Sequence, residues 1–279
     1  MMEFSEEYSP TAKFTLKVDE ILFRKKSKHH WITIFENRDF GRVLALNNEI
    51  QTTTRDEYYY HEAIVHPVMI SGEVEKVLII GGGDGGALRE VLKHQVEDVL
   101  MVEIDEEVVK ASRKYLKIDQ GAFEDRRLSM EIADGFEFVR ESKERFDVTI
   151  LDLPDPNGKV RRLFTEEFYS NLRTKGVSLQ AGSMFYNIAQ YCSIFKTLEE
   201  VFGKKEPVPY LSPVPSYPGG VWGFFLIPIG EFDFSRMDGI FTRFYDEETH
   251  RFMFSIPKDV RLSLNGWTKK MGEELEFPL

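Results

Sequence analysis

Cysteine is almost absent from this chain of 279 residues, and the single one, Cys192, excludes an intramolecular disulfide. Cys192 falls in a predicted helix, where a thiol usually has a buried structural role. The sequence also lacks a run of about 18 apolar residues, which a membrane-spanning helix needs. Residues 1–7 are acidic and lack the basic and then apolar order of a secretion signal. We therefore expect a soluble cytoplasmic protein without thiol chemistry.

An excess of positive charge is missing as well. The chain has 36 Lys and Arg against 47 Asp and Glu, so its formal net charge is -11. This balance disfavours general binding to nucleic acid or anionic membranes and suits cationic small molecules. The length allows one large domain, or a main domain with a smaller companion.

Three common catalytic patterns do not occur. There is no G-x-S-x-G nucleophile elbow and no G-x-x-x-x-G-K-[ST] phosphate loop. His61 and His66 are five positions apart, which does not place them on one face of a helix. We therefore expect neither a serine nucleophile nor a catalytic metal.

The first part of the chain has the pattern of β-strands. Apolar and polar residues alternate in short segments, with turn residues between them, and this predicts an antiparallel meander over residues 13–18, 31–35, 42–46 and 49–52. The period changes at residues 55–70, where a helix is predicted with Asp56 as its cap. We place an N-terminal β domain at residues 1–56.

The remaining residues, 57–279, form the second predicted domain. Strand-like segments at residues 77–80, 99–103, 128–132, 146–153 and 177–180 alternate with helix-like segments at residues 87–94, 106–116 and 165–172. Such alternation predicts an α/β fold with a doubly wound parallel sheet. The apolar run at residues 222–227 is predicted to add an antiparallel edge strand.

The loop Gly81-Gly82-Gly83-Asp84-Gly85-Gly86 follows the first of these strands. A glycine loop between a strand and a helix usually holds a phosphate through backbone N–H groups. Asp84 argues against a phosphate, because a carboxylate repels that group and attracts an ammonium or sulfonium. The loop therefore predicts a nucleoside that carries positive charge.

Acids follow the other parallel strands at the edge of the sheet where ligands bind. Glu103 lies 19 positions after Asp84, where an acid accepts the hydroxyls of a ribose. Asp134-Gly135 follows the third strand and suits an adenine amino group. Because Gly81, Gly83 and Gly86 also match G-x-G-x-x-G, a nicotinamide dinucleotide stays open as an alternative.

Two more acids lie in Asp152-Leu153-Pro154-Asp155-Pro156, after the fourth strand. The prolines stop the strand and stiffen a turn that holds both carboxylates. A protonated amine needs a base before it can act as a nucleophile, and a second carboxylate can hold the far ammonium of a diamine. The turn therefore suits an amine substrate.

Several segments between residues 30 and 258 resemble the spermidine synthase family of polyamine aminopropyltransferases. They include the motifs IQTTTRDE, YHE, GGGDGG and LFTEEFY, and they occupy residues 50–57, 60–62, 81–86, 88–94, 102–105, 134–135, 152–156, 163–169 and 215–219, with Tyr245, His250 and Pro257. The resemblance implies a Rossmann-like domain of the methyltransferase type, a doubly wound sheet, behind a small N-terminal antiparallel β domain. It also implies a homodimer or homotetramer.

The family's activity is transfer of the aminopropyl group of decarboxylated S-adenosylmethionine, a co-substrate, to an amine, with no tightly bound cofactor. The resemblance makes Asp152 the catalytic base. It assigns binding of the nucleoside donor to Gln51, Gly81, Gly83, Asp84, Glu103, Asp134 and Gly135. It assigns binding of the polyamine to Tyr60, His61, Asp84, Asp152, Asp155 and Tyr217.

The sequence departs from the family pattern at positions that bear on the acceptor. Leu153 and Pro154 replace small hydroxyl residues, Gly182 replaces a common acid, and His30 replaces a common glutamine. Putrescine, giving spermidine, is the leading acceptor, with spermidine (giving spermine or thermospermine) and agmatine as alternatives. A methyltransferase, a nicotinamide oxidoreductase and a silent polyamine-binding paralogue remain alternative classes.

Overall fold

The computed structural model describes residues 2–203 and 205–273. Its first part consists of two antiparallel sheets, which contain β1 (Met2–Ser9), β2 (Ala12–Val18), β3 (Glu20–Lys26), β4 (Trp31–Asn37), β5 (Gly41–Leu46) and β6 (Glu49–Thr53). Strands β1 and β2 form a hairpin by themselves, and the other four pair in the order β3-β4-β5-β6. The predicted single meander is therefore wrong in two respects, because β2 belongs to a separate sheet and β1 and β3 were missed. Both missed strands are rich in exposed charged residues, which hides their alternation.

The helix after these sheets is α1 (Glu57–Met69), and it is buried along nearly its whole length. It packs against the next helix and against four strands of the main sheet. The prediction that Asp56 caps α1 is wrong, since its side chain makes no capping bond. Asp56 instead accepts hydrogen bonds from Thr53 Oγ1 at 2.6 Å and from the backbone nitrogen of Ser216 at 2.7 Å. It thereby ties the start of α1 to a segment 160 positions later in the chain.

The main sheet has seven strands with helices on both faces, which confirms the predicted fold class. Its strands are β7 (Lys76–Gly81), β8 (Asp98–Glu103), β9 (Leu128–Ile132), β10 (Phe146–Asp152), β11 (Thr174–Gly182), β12 (Val208–Pro213) and β13 (Val221–Ile227). The helices are α2 (Gly86–Leu92), α3 (Glu106–Ala111), α4 (Gly135–Glu141), α5 (Glu166–Asn171), α6 (Ile188–Phe202), α7 (Glu247–Met253) and α8 (Lys258–Gly266). The predicted helix 106–116 changes to a π-helical turn at Ser112–Leu116.

The strand order of this sheet is β12-β13-β11-β10-β7-β8-β9, in which β7 to β11 are parallel and β13 is antiparallel to both of its neighbours, β11 and β12. The predicted antiparallel strand at residues 222–227 is confirmed as β13, but its predicted edge position is wrong, because β13 lies between β11 and β12. The strand at this edge of the sheet is β12, which contains Pro209 and Pro213. Proline lacks a backbone N–H donor, so it is tolerated at an edge and not in the interior of a sheet.

Cys192 is fully buried in α6, as predicted. Among the described residues, no helix is long and apolar enough to cross a membrane. The domain boundary at residue 56 stays a prediction. For the site, the important consequence of the topology is that β7, β8 and β10 are neighbours whose carboxyl ends meet at one edge.

Candidate active site

A cavity of about 930 Å³ opens at the carboxyl ends of β7, β8 and β10. Strand β6 of the N-terminal sheet closes one side of it, and the loops after the three parallel strands close the others. The structure brings nearly all the predicted site residues to its wall: Gln51, Tyr60, Gly81, Gly83, Asp84, Glu103, Asp134, Gly135, Asp152, Asp155 and Tyr217. His61 is the exception. It lies behind Asp84, and only 1% of its side chain is exposed.

The glycine loop positions Asp84 at the inner end of the cavity. Asp84 Oδ1 accepts a hydrogen bond from the backbone nitrogen of Gly86 at 2.7 Å, so the carboxylate is fixed by its own loop. His61 Nε2 lies 3.4 Å from the same oxygen. A Cβ at position 86 would overlap the His61 ring, so only glycine allows the loop to approach the histidine this closely.

His61 is held between two carboxylates. Its Nδ1 lies 2.7 Å from Glu57 Oε2, one turn earlier in α1, and its Nε2 faces Asp84. Burial by itself would lower the pKa of His61, but Asp84 and Glu57 outweigh burial and hold that pKa well above its ordinary value. Burial likewise opposes the charge of Asp84, yet His61 lowers the pKa of Asp84 below its ordinary value. The pair is therefore charged at neutral pH.

Asp152 ends β10 next to this pair. Its Oδ1 accepts a hydrogen bond from Tyr60 at 2.9 Å, whereas its Oδ2 is buried and has no hydrogen-bond partner among the residues that the structure describes. One side-chain atom each of His61, Asp84 and Asp152 lies within 4.8 Å of the others. Burial and the charge of Asp84 raise the pKa of Asp152 to about 6. A carboxylate with this pKa and one free oxygen can accept a proton at neutral pH.

Aromatic side chains form the wall opposite Asp84. Tyr60 and Tyr217 meet edge to face with ring centroids 5.8 Å apart, and Tyr217 packs against Trp222 at 4.7 Å. The Tyr217 hydroxyl donates a hydrogen bond to the backbone oxygen of Gln51. Burial raises the pKa of both tyrosines well above the ordinary value, so both hydroxyls keep their protons. Such a wall suits an alkyl chain with cationic ends.

Glu103 and Asp134 lie on the other side of the glycine loop. Glu103 Oε1 accepts a hydrogen bond from the backbone nitrogen of Asp105 at 2.9 Å, and burial raises the pKa of Glu103 to about 7. Asp134 caps α4 through the backbone nitrogen of Phe136 and also pairs with Arg162. Asp134 therefore has two structural partners, Phe136 and Arg162. The second oxygen of Glu103, Oε2, lies beside Gly83 in the wall of the cavity.

The outer end of the site contains acids that the sequence analysis missed. A second cavity of about 190 Å³ shares Asp155, Tyr60 and Tyr217 with the first, and Glu6 and Glu49 also line it. Within residues 2–203 and 205–273, neither glutamate forms an ion pair, and nor does Asp155. Burial raises the pKa of Glu6 and of Asp155 to about 7 each.

Sequence signals for the two glutamates are unequal. Glu49 is two residues before Gln51 in β6, so the alternation of a strand places both on one face, and this could have revealed it. Glu6 lies in β1, where Glu3 and Glu7 look the same in the sequence but are exposed. Glu6 differs from them because it is buried and accepts a hydrogen bond from the backbone nitrogen of Ile50 at 2.9 Å, and neither property can be read from the sequence.

The positions that depart from the family pattern also surround the site. His30 lines the larger cavity, and its Nδ1 lies 2.8 Å from Asp105 Oδ2. Leu153 and Pro154 line both cavities. Gly182 has a φ of +83°, and a Cβ there would lie 3.6 Å from Asp155 Oδ1. A side chain at position 182 would therefore enter the space beside Asp155.

Comparison with known proteins agrees with this geometry. The spermidine synthase tetramerisation domain matches residues 2–54, which supports assembly into oligomers, and the spermine/spermidine synthase domain matches residues 57–231. The polyamine aminopropyltransferase of Archaeoglobus fulgidus is 40% identical over 276 residues, 96% of this chain and 97% of that protein. The one from Caldicellulosiruptor saccharolyticus is 38% identical over 92% of this chain and 96% of its own length.

Solved structures give the same result. A spermidine synthase in complex with the transition-state analogue AdoDATO superposes with a TM-score of 0.90, at 36% identity and with 95% of each chain covered. The spermidine synthase from Thermotoga maritima superposes with a TM-score of 0.87, at 35% identity, over 95% of this chain and 94% of that one. With the domain match over residues 57–231, these relatives show that the chain belongs to the spermine/spermidine synthase family of aminopropyl-transferring enzymes.

Proposed function

We propose that this protein transfers the aminopropyl group of decarboxylated S-adenosylmethionine to putrescine, which yields spermidine and methylthioadenosine. The observation that carries the proposal is the state of Asp152. Its Oδ2 is buried without a hydrogen-bond partner among the described residues, its Oδ1 is fixed by Tyr60, and the residue lines the cavity together with Asp84. That arrangement supports proton removal from an amine bound between the two ends of the site.

The reaction needs alignment and one proton transfer. The amine nitrogen forms a bond to the methylene carbon next to the sulfonium, the carbon–sulfur bond breaks, and sulfur keeps the electron pair and loses its charge. The attacking nitrogen must be neutral, so its proton goes to Asp152, whose pKa of about 6 suits a base at neutral pH. Tyr60 orients the carboxylate through its 2.9 Å hydrogen bond.

The donor is proposed to bind along the glycine loop. Asp84, ionised and fixed by Gly86, would take the ammonium of the aminopropyl group. Intact S-adenosylmethionine would bring a carboxylate toward Asp84 and Asp152, and opposition of like charges costs several kcal/mol. Glu103 would accept the ribose hydroxyls. Gln51, Gly81, Gly83, Asp134 and Gly135 would surround the rest of the nucleoside.

The acceptor is proposed to lie along the tyrosine wall between Asp152 and the outer acids. Tyr60 and Tyr217 would cover its methylene groups, and Asp155 would receive the far ammonium, with Glu6 and Glu49 beside it. Asp155 carries a pKa of about 7 because it is buried and near the charge of Glu49, so an ammonium there would favour its ionised form. This part of the site is best suited to a polycation.

Spermidine is the second candidate acceptor, and a specific observation favours it. Asp155, Glu6 and Glu49 are three acids without an ion-pair partner in the described part of the chain, and a diamine brings only one ammonium to them. The space beside Asp155 that Gly182 leaves free would accommodate a longer chain. The tetrameric or dimeric state and the cytoplasmic location stay predictions.

The test is to incubate the protein with decarboxylated S-adenosylmethionine and, in parallel, putrescine, spermidine, agmatine or no amine, and to identify products by mass. We expect spermidine and methylthioadenosine in the putrescine reaction. A better rate with spermidine would change the acceptor and leave the reaction class intact. No methylthioadenosine with any amine would contradict the proposal, and methylated products from intact S-adenosylmethionine would replace it with a methyltransferase.

A further inference from the structure

Glu57 is a buried charged residue that does not line either cavity, yet it holds a group that contacts the site. It lies in the first turn of α1 and is 6% exposed. Its Oε2 lies 2.7 Å from His61 Nδ1, and its two oxygens accept hydrogen bonds of 2.9 Å each from the two terminal nitrogens of Arg89. A bidentate pair of this kind fixes the carboxylate in one orientation.

Arg89 is itself fixed on the other side. It donates to the backbone oxygen of Ile118 at 2.5 Å and, through Nε, to Glu90 Oε1 at 2.7 Å. The groups behind His61 therefore form a rigid, fully paired network between α1 and α2. The opposite nitrogen of the ring, Nε2, faces Asp84 at 3.4 Å. Glu57 is thus connected to the cavity through one side chain, His61.

The charge on His61 matters because Asp84 and Asp152 are two carboxylates at close range. Two such groups raise each other's pKa, and a cation beside them reduces that effect. The titratable groups that face His61 are Glu57 on α1, Asp84 on the glycine loop and Asp152 on β10, with Tyr60 beside it and Arg89 behind Glu57. Of the two carboxylates that stabilise the imidazolium, Asp84 lines the cavity and Glu57 does not.

We propose that Glu57 is a positioning residue for the reaction. It keeps the His61 ring charged and oriented, so that Asp84 stays ionised beside Asp152 before the donor binds. This rests on the proposed function, because Asp152 must be ionised to accept the proton of the amine. Without Glu57, His61 loses its proton more readily, and the pKa of Asp152 rises.

The experiment is the pH profile of kcat/KM for Glu57→Gln. We expect the acidic limb of the profile to move upward by about one pH unit. This is the size of the change in the pKa of Asp152 when the positive charge of His61 beside it is lost. The matched control is Glu90→Gln, which removes a buried acid from the same arginine, and the described partners of that acid are Arg89, His66 and Lys93. The Glu90→Gln variant should lose thermal stability, but the acidic limb of its kcat/KM profile should match that of the wild type. Equal profiles for Glu57→Gln and the wild type would overturn the proposal.

A double variant tests whether Glu57 acts through His61. His61→Gln should move the same limb, and adding Glu57→Gln to it should move the limb no further, since coupled residues are not additive. Two additive shifts would mean that Glu57 acts by another route and would refute the positioning role. If Glu57→Gln does not fold, Glu57→Gln with Arg89→Met removes the buried pair together and serves in its place.

Failure of the two proposals can be told apart. A wild-type enzyme that yields no methylthioadenosine removes the proposed function. In that case calorimetry of decarboxylated S-adenosylmethionine binding still tests Glu57, and we expect Glu57→Gln to weaken it about tenfold, a typical coupling between sites in one network. An active wild-type enzyme with an unchanged Glu57→Gln limb removes the positioning role alone.

Discussion

The two ends of the cavity both carry acids, but their charges are balanced differently. At the inner end, Asp84 has the His61 imidazolium at 3.4 Å, and its pKa is lowered. At the outer end, Glu6 and Asp155 have no ion-pair partner among the described residues, and burial raises the pKa of each to about 7. The inner end is charged before any ligand arrives, and the outer end becomes fully charged when a cation binds.

Because the two ends differ in this way, one cavity can hold two cationic ligands in defined places. A carboxylate whose charge the protein already stabilises can orient a ligand, because little rearrangement accompanies binding. Acids without a partner give affinity for charge, because an ammonium relieves their unfavourable burial. The inner end therefore suits the reacting groups, and the outer end suits the far end of a flexible amine.

The largest expected effect comes from removing the base at the inner end. Asp152→Asn keeps the shape and the hydrogen bond from Tyr60 but cannot take a proton, so kcat should fall by roughly 10²–10⁴-fold. Steady-state kinetics at pH 8 with saturating donor and amine measure it. Asp147→Asn, the same change at the start of the same strand, is the control and should keep kcat. Retention of most of the activity in Asp152→Asn would mean that another group accepts the proton.

The second prediction distinguishes recognition of the donor's ammonium from recognition of its nucleoside. Asp84→Ala should weaken binding of decarboxylated S-adenosylmethionine by about 10–100-fold, the range for losing a hydrogen bond to a charged group. Methylthioadenosine lacks the ammonium, so its affinity should change little. Calorimetric titration of both ligands gives the ratio. Equal losses for the two would show that Asp84 supports the loop and does not recognise the ammonium.

The sequence predicts a side chain at either end of the cavity when that residue lies at the end of a recognisable strand. Asp84, Asp152 and Asp155 lie at or shortly after the carboxyl ends of predicted strands, so their arrival at one edge follows from the topology of a parallel sheet. Glu6 was missed because β1 is an exposed, acidic strand whose packing against Ile50 depends on a contact 44 positions away. Asp56 was predicted as a helix cap, but it binds Ser216, and local rules do not include a partner so distant. The resemblance to the family identified His61 as a site residue, but its position behind Asp84 is visible only in the three-dimensional structure.

A smaller effect is expected at the outer end. Asp155→Asn and Glu6→Gln should each raise the KM for the acceptor by roughly tenfold, about 1.4 kcal/mol, while kcat at saturation stays within a few-fold. Glu3→Gln, an exposed acid on the same strand as Glu6, should change neither constant. Competition between putrescine and spermidine in one reaction shows which acceptor depends more on these acids. A fall in kcat with an unchanged KM would place both acids at the reacting end and contradict the comparison.

The smallest effect concerns stability of the free protein, and it tests the outer acids without any substrate. The pKa of Glu6 is raised from 4.5 to about 7 by burial, so the folded protein favours its protonated form. The stability that comes from this proton is present below pH 4.5 and is lost as the pH rises to about 7. Glu6→Gln keeps a neutral side chain at all pH values, so it should match the wild type at pH 4.5. At pH 8 it should melt several degrees higher, because a pKa raised from 4.5 to about 7 corresponds to roughly 3 kcal/mol at most, and each kcal/mol shifts the melting temperature of a domain of this size by about 2–4 °C. Thermal melts of both proteins at the two pH values measure this difference.

Putrescine at pH 8 should stabilise the wild type more than the Glu6→Gln variant, because only the wild type has the Glu6 charge for an ammonium to neutralise. Equal stabilisation of the two proteins would mean that the amine does not reach the outer end.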